Sequence, residues 1–153
     1  MWSHYAKNHT GVCFQFYPSA QAELFKGICP VQYSDKKLVL DIGLSYDEQD
    51  IARVFLQKST EWAYEREWRF VASRRAHELG PISGSALSSV IYGARCSPQS
   101  IEIVRSLLAE RVKLGLPKVM EFRAVLSPAH YSVGIFPASR KAEPKGWVGR
   151  PSA

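Results

Sequence analysis

Glu65 and Glu67 stand two residues apart in the stretch Trp62-Ala63-Tyr64-Glu65-Arg66-Glu67-Trp68-Arg69-Phe70. On a strand, that spacing puts both carboxylates on one face. One carboxylate can stabilise a positive charge as it develops, and the second can orient or deprotonate an acceptor. Period-two alternation sends Tyr64, Arg66, Trp68 and Phe70 to one face and Glu65, Glu67 and Arg69 to the other. The first face is core-bound except for Arg66, and the second is a charged cleft or rim. Lys58 and Arg69 can bind an anionic ligand there, or pair with Glu61 and Glu65. Tryptophan walls lower the local dielectric and sharpen such charge effects. The alternative for the same residues is an ion-pair ladder that serves structure alone.

Two further clusters carry chemistry-bearing side chains. In the opening MWSHYAKNHT, His4 and Tyr5 can hold and stack on a small ligand, while His9 reads as a packed histidine in a turn. The five-residue spacing of His4 and His9 is not the helical pair of a zinc site and has no third ligand nearby, so no metal is expected. In Gly93-Ala94-Arg95-Cys96-Ser97-Pro98, a strand end meets a helix start. Free N–H groups there, with Arg95 and Ser97, suit a phosphate or carboxylate, and the rival reading is an ordinary strand-to-helix turn. Cys13, Cys29 and Cys96 are odd in number and widely spaced, which supports neither disulfides nor a CxxC site. Trp2, Trp62 and Trp68 read as core anchors.

The elements that must position these residues follow from the pattern. Gly11 to Tyr17 reads as a strand with Val12, Phe14 and Phe16 on one face, then Pro18 to Ala22 as a turn. Ile28 to Tyr33 is a second strand, placed at an edge by Pro30. Ser45 caps a helix in which Ile51, Val54, Phe55 and Lys58 recur to about Ser59. A strand runs from about Arg66 to Ala72, His77 to Ser85 is loop, and Leu87 to Gly93 is a strand. Ser97-Pro98 opens a helix with the stripe Ile101, Val104, Leu107 or Leu108, and Val112, stopped by Gly115 and Pro117. Val119 to Leu126 and Tyr131 to Phe136 complete the strands. This order is irregular, so the fold class is α+β, a mainly antiparallel or mixed sheet with two main helices.

The chain has 153 residues, with 46% apolar and 22% charged side chains, ordinary values for a soluble domain. No apolar run approaches the ~18 residues of a membrane span, and the N-terminus lacks a signal-peptide core. A reducing cytoplasmic setting is expected. The domain is expected over 1–136, followed by a flexible tail over 137–153. Much of the net charge of +6 sits in that tail, at Arg140, Lys141, Lys145 and Arg150, where it favours solubility over a nucleic-acid site.

Four pieces resemble the bacterial domain-of-unknown-function family 2971. They are Trp2-Ser3-His4-Tyr5-Ala6 with His9 and Gly11; Lys58 with Trp62 to Arg69; Val90-Ile91-Tyr92-Gly93 with Arg95 and Ser97; and the strand pair around Tyr131. Members of that family carry a further N-terminal segment, so the chain reads as a C-terminal part. Glu65-Arg66-Glu67 is in turn similar to the Glu-x-Glu of ADP-ribosyltransferases. That resemblance implies NAD as substrate, Glu67 as electrostatic catalyst, and Glu65, His4 and Arg69 in support, in a cleft between the 2–9 segment and the 65–69 strand. In the His-Tyr-Glu transferases the His and Tyr lie on separate strands, a departure from His4-Tyr5 here. Two other classes stand beside it: a non-enzymatic interaction or regulatory module of a defence or toxin system, and a nucleic-acid-binding domain.

Overall fold

The structure, a computed structural model, describes residues 2–21, 26–39, 47–71 and 82–139. The chain falls into two compact units, Met1–Ala20 with Ser83–Ala153, and Gln21–Ile82. Helices and mixed sheets confirm the α+β class. The tail beyond Ser139, Ser45 and most of the 77–85 loop lie outside the described residues.

In the first unit, α1 (Trp2–Tyr5) precedes β1 (Val12–Phe16), and β6 (Leu87–Tyr92) leads through α3 (Pro98–Lys113) to β7 (Met120–Leu126) and β8 (Val133–Pro137). The sheet order is β1-β6-β7-β8. The β6–β7 pair is parallel and its neighbours are antiparallel, as a helical crossover between sequential strands requires. β6 is central and its residues 90–92 are buried on both faces, which explains its continuous apolar run. Val12 and Phe14 pair with Tyr92 and Val90 and so share their face, as the alternation predicts.

Ser97 caps α3 by accepting from the Ser100 backbone N–H, with Pro98 in the first turn. Gly115 ends it at φ 76°. Ile101, Val104 and Leu108 pack on a core of Val90, Tyr92, Cys96 and Val119. Each such apolar side chain contributes up to about 1.5–3 kcal/mol when fully withdrawn from water. Leu107 and Val112 are exposed instead, so the half-buried stripe follows Leu108 and is narrower than the sequence suggests.

In the second unit, β2 (Ile28–Pro30) pairs antiparallel with β5 (Trp68–Phe70), and β3 (Gln32–Tyr33) pairs parallel with β4 (Gln57–Lys58). The expected Ile28–Tyr33 strand is therefore two short ones. Between them buried Val31 donates its N–H to the Glu67 carbonyl, and Gln32 then bonds the Leu56 carbonyl. α2 (Glu48–Phe55) is capped by Asp47 in a reciprocal box with Asp50. It ends at Phe55, so Lys58 belongs to β4 and not to the helix.

Candidate functional site

The sequence expectation for the central stretch is corrected in its backbone. Thr60–Glu65 forms a 3-10 turn, Arg66 takes the left-handed conformation at φ 46°, and only Trp68–Phe70 is strand. The faces are corrected too. Trp68 and Phe70 are 63% and 51% exposed, whereas Glu65 is 8% exposed, so Trp68 is no core anchor. A left-handed arginine costs about 1–2 kcal/mol. What it achieves here is convergence, because the turn before it and the strand after it bring both carboxylates to one ammonium group.

Lys58 Nζ lies 2.5 Å from Glu65 Oε2 and 3.2 Å from Glu67 Oε2. It also sits 4.7 Å from the centre of the Trp62 ring, a cation–π distance. Arg69 grips the other side of Glu67, with Nε 2.6 Å from Oε1 and Nη2 3.0 Å from Oε2. Its third nitrogen, Nη1, donates to the Phe55 carbonyl at 2.6 Å. The Glu67 backbone N–H donates to the Tyr33 hydroxyl at 2.8 Å. Two cations and two carboxylates thus form a neutral quartet that ties β4, the 3-10 turn and β5 together. Beside it lies a cavity of about 370 Å³ lined by Phe55, Arg69, Phe70 and Val71.

The electrostatics follow from this geometry. The Arg69 hydrogen bond, followed by that of Lys58, outweighs burial and holds Glu67 below the ordinary carboxylate range. Such a group stays ionised at neutral pH and is ill suited to exchange a proton there. Glu65 Oε1 is buried without a hydrogen-bond partner among the described residues. Its other oxygen depends on Lys58.

In the first unit, His4 and Tyr5 lie in α1 and are both exposed. His9 stacks on Trp2, ring centres 6.4 Å apart and planes 7° from parallel. Lys7, Asn8 and His9 all have positive φ, from 46° to 67°, which folds the chain back so that Ala6 accepts from Thr10 and Gly11. The His9 carbonyl accepts from Arg95 N–H at 3.0 Å, and the Gly11 carbonyl from Gly93 N–H at 2.9 Å. A Cβ on Gly93 would stand 2.1 Å from the His9 carbonyl oxygen. The N–H of Cys96 goes to the Gly93 carbonyl, and Ser97 is occupied as a helix cap. The backbone N–H groups of Gly93, Arg95 and Cys96 are therefore spent within the fold, while the Arg95 side chain is exposed. The spacing of tryptophan, histidine and glycine in the opening segment and the Tyr-Gly-x-Arg of the β6 end are two halves of one structural joint. The close approach at Gly93 is the sequence signal for it.

Burial raises the Cys13 and Cys96 thiols above their ordinary value, the opposite of nucleophile activation. Among the described residues no group of three His, Cys, Asp or Glu side chains is placed to hold a metal, and no helix is long and apolar enough to cross a membrane.

Residues 1–70 match the family model described as "Protein of unknown function (DUF2971)". The match takes in both the Trp2–Gly11 joint and the Lys58–Arg69 quartet. Val90–Ser97 and the strand pair around Tyr131 lie beyond it. Neither the curated proteins nor the solved structures give a match.

Proposed function

We propose that this chain is a non-enzymatic interaction or regulatory module and that its Glu-x-Glu segment is architectural. One observation carries this reading: both oxygens of Glu67 are already engaged by Arg69, and Oε2 also by Lys58. A glutamate that stabilises an oxocarbenium-like ribose must turn an oxygen toward the sugar hydroxyl. Glu67 would have to give up a charge-assisted bond to do so, a loss of about 1.5–3 kcal/mol. NAD-dependent ADP-ribosyl transfer, the enzymatic alternative, therefore asks the site to break its own support.

The test is incubation of the chain with NAD, alone and with protein acceptors, followed by chromatography for free nicotinamide. The module reading expects release no faster than the protein-free blank, for the parent and for Glu67→Gln alike. Release by the parent that disappears in Glu67→Gln would establish the transferase instead.

A further inference from the structure

A second charged constellation lies in the first unit, across β6, α3 and β7. Glu121 on β7 accepts from the Tyr92 hydroxyl at 2.7 Å and from Arg105 Nε on α3 at 2.9 Å, both at Oε2. Among the described residues Oε1 accepts no hydrogen bond, and Lys118 donates none. Arg105 donates to Glu121 through Nε and also interacts with the Tyr92 hydroxyl. Arg105, Lys118 and Glu121 line an open cavity of about 550 Å³ together with Val119, Met120, Phe122 and Pro137 to Ser139. That is the size range of small-metabolite sites, which pair apolar walls with a few fixed polar groups.

The fixing is specific. Tyr92 is only 1% exposed, and its rigid hydroxyl pins one oxygen of Glu121 from behind. Burial, and then the bond to Glu121, push the Tyr92 phenol well above its ordinary range, so it remains a donor. For Glu121, burial acts upward, but the bonds from Arg105 and Tyr92 outweigh it and hold the carboxylate low. The cavity thus offers a fixed acceptor, Glu121 Oε1, beside two cationic donors, Arg105 and Lys118. Two cations against one carboxylate leave an excess positive charge.

We propose that this cavity binds a phosphomonoester carrying a nearby hydroxyl, the phosphate on Arg105 and Lys118 and the hydroxyl on Glu121 Oε1. Planar guanidinium nitrogens match phosphate oxygens in pairs, and an ammonium adds a point charge. A bare carboxylate ligand fills less of the excess charge and leaves Glu121 without a donor. This site is independent of the quartet in the second unit.

The test uses the full chain and amide NMR, titrating glycerol 3-phosphate, inorganic phosphate and glycerol in parallel. Glycerol 3-phosphate is expected to shift Lys118–Phe122, Ala138 and Ser139, and to bind more tightly than phosphate, with glycerol inert. Lys118→Ala removes no hydrogen bond of the fold and should weaken glycerol 3-phosphate roughly tenfold, the loss of one charge-assisted contact. Arg105→Met should weaken it at least as much. Shifts elsewhere, equal affinity for phosphate alone, or affinity unchanged in Lys118→Ala would each overturn the proposal.

Discussion

Replacing Lys58 with methionine keeps the aliphatic stem but removes the ammonium that two carboxylates share. The side chain of Glu65 is 2% exposed, and its Oε1 already lacks a partner among the described residues. Without Lys58 it becomes a buried charge with the partner of its other oxygen removed. Breaking a buried pair in this way costs about 3–5 kcal/mol. The Lys58 head retains some solvent, with side-chain exposure of 14%, and Glu67 keeps Arg69, so the lower end, about 3 kcal/mol, is expected. Loss of the Trp62 cation–π contact is included in that figure. Urea unfolding read by tryptophan fluorescence measures it, with an unchanged slope showing that the same structure unfolds. Lys58→Met combined with Glu65→Gln should recover most of the loss, because the stranded charge is gone. A single variant within about 0.5 kcal/mol of the parent, the range of ordinary surface changes, would refute the account of the quartet.

Two further outcomes follow from the same structure. Glu67 titrates below its ordinary value of 4.5 because of Arg69 and then Lys58, so its stabilisation is present above that value and is lost as pH falls through the lower folded value. The melting-temperature gap between parent and Glu67→Gln should therefore be constant near neutrality and close under acid, as calorimetry across pH will show. Gly93→Ala places a methyl against the His9 carbonyl and should cost about 3 kcal/mol or more. Gly115→Ala meets open space and should cost only about 1–2 kcal/mol from its positive φ, a contrast that denaturation curves of the pair resolve.

What the sequence disclosed depended on whether local rules and tertiary demands agreed. Ser97-Pro98 and the buried run of β6 were legible because capping and burial point one way, and the register pairs Val12 and Phe14 with Tyr92 and Val90 although Phe14 itself is exposed. In the central stretch, the alternation of aromatic and charged residues predicts a strand from about Arg66 and assigns its faces from Tyr64 to Phe70. The backbone instead spends residues 60–65 on a 3-10 turn and passes through a left-handed Arg66. No propensity signals that conformation in an arginine, and only the need to bring Glu65 and Glu67 to Lys58 accounts for it. The partners within the quartet were partly visible, since Lys58, Arg69 and Glu65 were already candidates for pairing. Tyr33 was not, because its contact with Glu67 spans thirty-four positions of sequence. Likewise nothing near Glu121 announces Tyr92 and Arg105, which topology alone delivers across β6, α3 and β7.

The central claim is that Glu67 is a cation-bound carboxylate that stays ionised at neutral pH. Its side-chain carbon can be followed directly by carbon-13 NMR through an acid titration of the intact chain. The account predicts a midpoint below the ordinary 4.5, moving upward when Arg69 is replaced by methionine. A midpoint at or above the ordinary value in the parent would contradict it, and would return Glu67 to the role of a carboxylate poised for chemistry.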